Sequence, residues 1–554
     1  MRHRREDLRW NGWGRRDVGF ETHGRDAEVW AFMADALGTA RLPSTPAPSL
    51  EDTTIPEVRV GEDVLAKLRA ATHASRVHTS REERALHAYG RSYYDLLRLR
   101  SGQLEAAPDV VVYPETRDEV LAVLQVAEEA RLAVVPFGGG SSVVGGVEAI
   151  GPTHAGVVTL DTTRLCKVLE VDGVSRTATV EAGIYGPALE EALSARGFVL
   201  GHFPQSFEYS TLGGWIAARG AGQLSNRYGT ADKMLVAATV ATPRGLLRTQ
   251  AFPASAAGPN LNQLLAGSEG TLGVITDATV KLHALPEKRK VFAFLFKSFE
   301  EGVGAVRALV QEEAGAAMMR LSDPEETRFF GAFRAVIEPS KVNELAEGAL
   351  GIVGYDKKCV LMVCVEGERD EVAHRVRRIR AIVKGRGGLY VGEGPGKSWW
   401  KRRFEMPFLR DPMLDRGVGV DTLETATEWA NLPRLYEAVR LAIRGTLEGE
   451  GRRAIVMAHV SHSYPDGASL YFTFIFLRDL AREIAQWKAV KRAASEAIVQ
   501  HGGTISHHHG VGTDHAPFLD AEKGPLGLEV LAYVRRALDP KGTMNPGKLL
   551  PPRA

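Results

Sequence analysis

The sequence predicts an α+β chain of several domains. Three observations carry that prediction. From about residue 106, β-branched runs of strand length alternate with apolar residues at helical spacing. Glycines gather in three clusters. The chain has 554 residues, which at roughly 150 per domain makes three to four domains. Hydrophobic residues are 44% and charged residues 25%, which excludes disorder and collagen-like structure. Lys+Arg 69 against Asp+Glu 68 leaves a net charge of +1, so no global field points to nucleic acid. Three cysteines are too few for a disulfide scaffold and fit a reducing compartment. No segment reaches the ~18 apolar residues of a membrane helix. Basic Met1–Trp10 is followed by no apolar run, and Pro551-Pro552-Arg553-Ala554 matches no retrieval tripeptide, so the expected location is the cytoplasm.

Residues 1–105 read as a mostly helical segment. Its four-proline stretch 41–56 reads as a linker or an extended crossing strand. Residues 106–288 read as an α+β domain. Asp109–Tyr113 forms a strand stopped by Pro114, and Thr116 with Glu119 makes a capping box. Val120, Val123, Leu124 and Ala127 follow at helical spacing. Leu132–Val135 is a second strand running into glycines, with further short strands at 157–160, 168–171 and 178–180. Residues 289–500 read as a second α+β domain, a sheet with helices on one face. Its strands lie at 291–296, 359–365, 455–460 and 470–476, and its helices at 300–311, 371–383 and 434–447. Residues 501–554 return to glycine- and histidine-rich loops.

The first glycine cluster is Pro136-Phe137-Gly138-Gly139-Gly140-Ser141-Ser142, continuing to Gly145-Gly146. Without Cβ atoms several N–H groups can converge on an anion, and two serines add hydroxyl donors. It is not a Rossmann fingerprint, because Val143 fills the third glycine slot and no helical run follows. The second cluster runs from Gly201-His202 through Gln205-Ser206, Ser210-Thr211, Gly213-Gly214 and Ala218 to Gly220 and Gly222. The third is Gly267-Ser268-Glu269-Gly270-Thr271-Leu272-Gly273-Val274-Ile275, a tight turn feeding a strand.

Together these three segments resemble the vanillyl-alcohol oxidase or PCMH-type FAD-binding superfamily over about residues 106–290. The resemblance implies a PCMH-type FAD domain of two α+β subdomains and a cap domain with an antiparallel sheet. The cofactor-binding residues it implies are Pro136, Gly138, Gly139, Gly140, Ser141, Ser142, Gln205, Ser206, Ser210, Thr211, Gly214, Ala218, Gly220, Glu269, Gly270, Thr271, Gly273 and Ile275. Where some relatives attach the flavin through a histidine, this chain has Ser141 and Ser142, so FAD is expected to be non-covalent.

Trp10-Asn11-Gly12-Trp13-Gly14, Asp466-Gly467-Ala468 before a Tyr-Phe strand, and Ser506-His507-His508-His509-Gly510-Val511-Gly512 extend the likeness. They resemble the alkyldihydroxyacetonephosphate synthase family. The 2-hydroxyacid dehydrogenases of the superfamily carry Gly-Glu-His-Gly where this chain has three histidines. The resemblance implies exchange of the acyl chain of acyl-dihydroxyacetone phosphate for a long-chain fatty alcohol, with no net redox. It implies catalytic roles for His507, His508, His509, Tyr471, Arg410, His202 and Thr473. Arg410 and the histidines would meet phosphate and carboxylate, with His508 or Tyr471 as proton shuttle. The family has a second tyrosine where this chain has Thr473, which keeps a FAD-dependent 2-hydroxyacid or alcohol dehydrogenase as the alternative. Peripheral contact with the inner face of the membrane and a homodimer stay open.

In an extended segment His507 and His509 share one face and His508 takes the other. No metal is expected, since no carboxylate or cysteine stands nearby at ligand spacing. For Arg410, a surface salt bridge to Asp411 or Asp415 is the plain alternative. The substrate tails need an apolar tunnel, for which Phe292, Phe294, Phe472, Phe474 and Phe476 compete with a role as plain core. Gly392–Ser398 imitates a phosphate-binding loop, but Val391 stands at its first glycine and no capped helix is expected after it. Trp399-Trp400-Lys401-Arg402-Arg403 reads as a solvated loop, with contact at a membrane interface as the alternative.

Overall fold

The computed structural model describes residues 5–339, 355, 357–448 and 453–550; Met1–Arg4 and the C-terminal Pro551–Ala554 lie outside them. Helices Asp26–Ala36, Glu62–Ala71, Arg81–Leu86 and Tyr93–Leu99 make up most of the regular structure in the N-terminal segment. The proline-rich stretch 41–56 has no helix or strand beyond an isolated bridge at Thr54. It crosses the cap, where the Thr45 N–H donates to the Asp415 carbonyl at 2.7 Å. Among the described residues no helix is long and apolar enough to cross a membrane.

The flavin-type domain has two sheets. In the first, Val110–Val112 and Leu132–Phe137 both pair in parallel with Gly156–Asp161, and Val77–His78 adds an antiparallel edge. Helix Arg117–Glu129 buries Val120, Val123, Leu124 and Ala127 against this sheet. Its capping box is only half formed. The Thr116 side chain accepts from the Glu119 N–H, but the Glu119 carboxylate turns to Arg76 and to the Glu115 N–H. The second sheet is antiparallel, with Val168–Asp172, Thr177–Glu181, Val274–Lys281, Leu235–Thr242 and Gly245–Arg248 in that spatial order.

The cap is one seven-stranded antiparallel sheet, its strands starting in spatial order at residues 389, 288, 359, 318, 454, 467 and 418. Helices Phe299–Gln311, Arg369–Lys384, Leu432–Leu447 and Glu483–Gln500 cover one face. Strand periodicity of two sends Phe472, Phe474 and Phe476 into that core beside Phe292 and Phe294. These rings are therefore core, not a tunnel lining. The opposite face is divided. Helices Asp26–Ala36 and Pro324–Ile337 cover Ile455, Met457 and Ile475 at one end, against the expectation of helices on one face only. His459 and Tyr471 occupy the other end.

Two local expectations fail. Residues after 500 are not all loop, because helix Leu519–Leu538 fills much of the segment, kinked at Gly524 and Pro525. Residues Gly394–Arg402 form a helix. Its Trp399 and Trp400 pack against the flavin-domain core, and Arg403 stacks on Trp400 at 4.0 Å, so this is no solvated loop. Lys397 there pairs with Glu393 at 2.7 Å.

Candidate active site

The glycine loop leaves the parallel strand Leu132–Phe137 at its C-terminal end, the usual ligand edge of such a sheet. Its glycines are required by close neighbours. A Cβ on Gly139 would lie 1.9 Å from the Tyr209 carbonyl oxygen, and one on Gly138 would lie 2.3 Å from the Thr211 hydroxyl. Gly140 has φ +71°, and a Cβ there would run into the Phe137 ring. The Gly138 carbonyl accepts from Arg5, whose guanidinium also reaches Asp161 at 2.8 Å. Asp161 pairs with His87 at 2.9 Å. With that carbonyl turned away, the N–H groups of Gly139, Gly140, Ser141 and Ser142 have no acceptor among the described residues. Such an array of free donors suits a diphosphate, so this cradle fits FAD. No histidine stands in 136–146 to attach it. Ser142 closes the turn by accepting from the Gly146 N–H at 3.0 Å, and Ser141 lines a small cleft with Arg91 and Gly139.

The second cluster supports the first. The Trp215 indole donates to the Ser210 hydroxyl at 2.7 Å, that hydroxyl donates to the Ser206 carbonyl at 2.9 Å, and Thr211 caps helix Leu212–Ala217 over Gly214. These hydroxyls are therefore engaged within the protein. Gln205 donates to the Arg403 carbonyl at 2.6 Å, tying this segment to the cap. His202 is fully buried, with its ring 4.6 Å from that of Trp215 and 3.6 Å from a Cβ on Gly220. Burial, with a smaller contribution from His508, pushes it down to about 3. Neither of its nitrogens has a partner among the described residues. A buried imidazole so placed wants a polar group, a second feature that fits a bound cofactor.

In the third cluster, Gly270 (φ +75°) packs on Pro136, Gly273 (φ +141°) on the Ala241 carbonyl, and the Thr271 hydroxyl donates to the Ser268 carbonyl at 2.7 Å. Ile275 continues as a buried strand residue. Glu269 does something the sequence does not announce. Its carboxylate accepts from the Val511 and Gly512 N–H groups, and burial pushes it up to about 7. Ala218 touches the same turn, 3.7 Å from a Cβ on Gly510. The histidine loop is thus fastened onto the flavin-type domain.

A second carboxylate organises the histidines. Glu424, opposite Tyr471 across two strands, accepts from the N–H groups of His507, His508 and His509 at 2.8–3.1 Å and from the Ser506 hydroxyl at 3.1 Å. The backbone curls around this one side chain, so the alternation expected of an extended strand fails. All three rings gather, 5.2 Å apart for His507–His508 and 4.5 Å for His508–His509. Burial would raise Glu424, but His508, His509 and His507, with the N–H donors, hold it well below the usual carboxylate range. Burial pushes His507 down to about 4 and His509 to about 3. An ionised Glu424 beside neutral His507 and His509 is the assignment we adopt.

Tyr471 completes the cluster, its ring 6.2 Å from His508 and 5.6 Å from His509. Its ring stacks at 5.0 Å on His459, itself fixed between Glu326 and Arg320 at 3.0 Å each. Burial raises the Tyr471 phenol, which Thr422 and Arg410 partly offset. Thr473 shares this face and lies cross-strand from Thr422 and Met457. Arg410 donates to the Arg91 carbonyl at 2.6 Å and has no carboxylate within salt-bridge distance among the described residues. Asp411 is held by the Trp13 N–H at 2.9 Å, and Asp415 by Arg100. The salt-bridge alternative for Arg410 is therefore excluded.

Two histidine-cluster neighbours escape sequence reasoning. Glu424 lies on Val418–Glu428, where a glutamate in a strand reads as solvent-facing, yet Leu423, Glu424 and Thr425 are buried in a row. His462 lies at the end of Ala454–Ser463, beyond a register shift that breaks its periodicity.

Comparison with known proteins places the two domains and the family. Residues 108–250 match the model for the FAD binding domain and residues 285–549 that for the C-terminal domain of FAD linked oxidases. Alkyldihydroxyacetonephosphate synthase of Trypanosoma brucei brucei is 32% identical over 99% of this chain and 93% of its own length. The Dictyostelium discoideum enzyme is also 32% identical, over 99% and 94%. A solved structure of an alkyldihydroxyacetonephosphate synthase superposes with a TM-score of 0.86 at 30% identity, covering 98% of this chain and 99% of the other. At that identity over nearly the whole of both chains, the chain belongs to the alkyldihydroxyacetonephosphate synthase family.

Proposed function

We propose that this chain exchanges the acyl group of acyl-dihydroxyacetone phosphate for a long-chain fatty alcohol, giving alkyl-dihydroxyacetone phosphate without net redox. One observation carries the reading: Arg410, with no carboxylate partner among the described residues, stands close enough to act on the Tyr471 phenol, and His508 of the same cluster stands close enough to act on the unpartnered His202. Bound FAD supplies a ring that can take up and return an electron pair at the reacting carbon. The protein does the rest. The free amides of residues 139–142 hold the cofactor's diphosphate. Arg410 offers a planar fork to the substrate phosphate or to the departing carboxylate. The incoming alcohol must lose a proton, and an imidazole can accept it. His508, between Glu424 and Tyr471, takes the proton of the alcohol, and Tyr471, whose phenol burial keeps protonated, gives one to the departing carboxylate and is reprotonated from His508. Thr473 has too short a reach and too high a pKa for that task, so Tyr471 and His508 carry it.

Thr473 favours one second reading, a FAD-dependent dehydrogenase of 2-hydroxyacids or alcohols. One experiment separates them. Holoenzyme is given acyl-dihydroxyacetone phosphate and a labelled fatty alcohol, and in parallel a panel of hydroxyacids under anaerobic conditions. Label in an ether product with an unbleached flavin band supports the exchange. Persistent bleaching by a hydroxyacid with no ether product overturns it.

A further inference from the structure

His462 has no part in the scheme above, yet it stands against the histidine loop. Its ring stacks on His507 at 5.1 Å and meets His508 edge-on at 5.2 Å. One ring nitrogen from each of His462, His507 and His508 lies within 4.8 Å of the other two. The His507 and His508 Nδ1 atoms are only 3.0 Å apart. His462 is 5% exposed, and its Nδ1 has no hydrogen-bond partner among the described residues. Three imidazoles from two separate segments thus converge, one with an orphaned buried nitrogen.

A tetrahedral zinc ion with Zn–N bonds of about 2.0–2.1 Å sets its nitrogens about 3.4 Å apart. Separations between 3.0 and 4.8 Å reach that value by small ring rotations. Glu424 adds a negative charge, 3.4 Å from the His508 Nδ1. The sequence hides this site because His462 lies 45 residues from His507.

We propose that His462, His507 and His508 form a binding site for a divalent transition metal of the zinc class, and that filling it silences the enzyme. The binding half stands on geometry alone. The silencing half rests on the proton-shuttle reading of His508, because a ligated imidazole can no longer carry a proton. The fourth coordination position is left for water, as in open zinc sites.

The test uses metal-stripped FAD holoenzyme. Equilibrium dialysis against Zn2+ with elemental analysis should find one ion per chain, and Co2+ should give the intense visible bands of a tetrahedral site. His462→Gln should weaken Zn2+ binding at least tenfold while keeping the flavin spectrum and metal-free turnover. Zn2+ should stop wild-type ether formation reversibly, with EDTA restoring it, and His462→Gln should need at least tenfold more. Substoichiometric binding, or binding unchanged in His462→Gln, overturns the site. A filled site with full turnover overturns the switch. If no ether product forms under any condition, the exchange reading fails while dialysis and Co2+ spectra still decide the site.

Discussion

The loops at 138–146 and 506–512 both depend on glycine and touch each other, yet they use their backbones in opposite ways. The glycine loop turns a carbonyl toward Arg5 and leaves the N–H groups of residues 139–142 without an acceptor among the described residues. In the histidine loop the N–H groups of residues 507, 508, 509, 511 and 512 are all taken by two buried carboxylates, Glu424 and Glu269. On the proposed reading, unpaired amides make the first loop an anion receptor. Fixed amides make the second a rigid frame from which side chains project. A binding loop and a chemical loop are thus distinguished by where their main-chain hydrogen bonds go.

The largest effect should come from Gly139→Ala. Its Cβ must displace the Tyr209 backbone from 1.9 Å, which distorts the free amides. FAD affinity should fall by a factor of at least ~1000, about 4 kcal/mol, read by fluorescence titration. Affinity within threefold of wild type would mean that this loop is not the diphosphate site.

Glu424→Ala should leave FAD binding within about threefold but cut turnover by at least ~100-fold, because several buried donors lose their acceptor at roughly 1–3 kcal/mol each. If FAD is lost as readily as turnover, the two loops do not divide the work.

Acid should loosen the chemical loop selectively. An unfolded histidine protonates near its ordinary value of 6.5, whereas folded His507 is held to about 4. A lowered basic pKa gives stability that is present above pH 6.5 and lost as pH falls toward 4. At about 1.4 kcal/mol per pKa unit this amounts to roughly 3 kcal/mol. Melting temperature should drop across that window, and less in His507→Asn. A curve of the same shape in both proteins would remove His507 as the cause.

Tyr471→Phe is the mildest. It keeps the stacking on His459 and removes one hydroxyl, so kcat should fall by ~10–100-fold with stability within about 1 kcal/mol of wild type. Unchanged kcat would leave His508 as sole shuttle.

The binding loop is legible in the sequence because its chemistry lies in residue type, since glycines in a row after a buried strand have few other uses. Strands such as Leu132–Phe137 and Lys288–Phe296 announce themselves by β-branched and aromatic runs, although the apolar run of the second starts only at Val291. The chemical loop is only half legible. The three histidines stand out, but the carboxylates that shape them do not. Glu424 looks like any solvent-facing residue of an alternating strand, and Glu269 like part of a turn. Their function depends on contacts across 83 and 242 positions, which periodicity cannot carry. Helix Leu519–Leu538 is hidden because Gly524 and Pro525 interrupt its pattern.

The most direct test of the central claim is a crystal structure of the FAD-loaded protein. The account predicts the diphosphate on the amides of Gly139–Ser142 and the flavin ring between His202 and His508. A diphosphate bound elsewhere, or a ring turned away from both histidines, would contradict it.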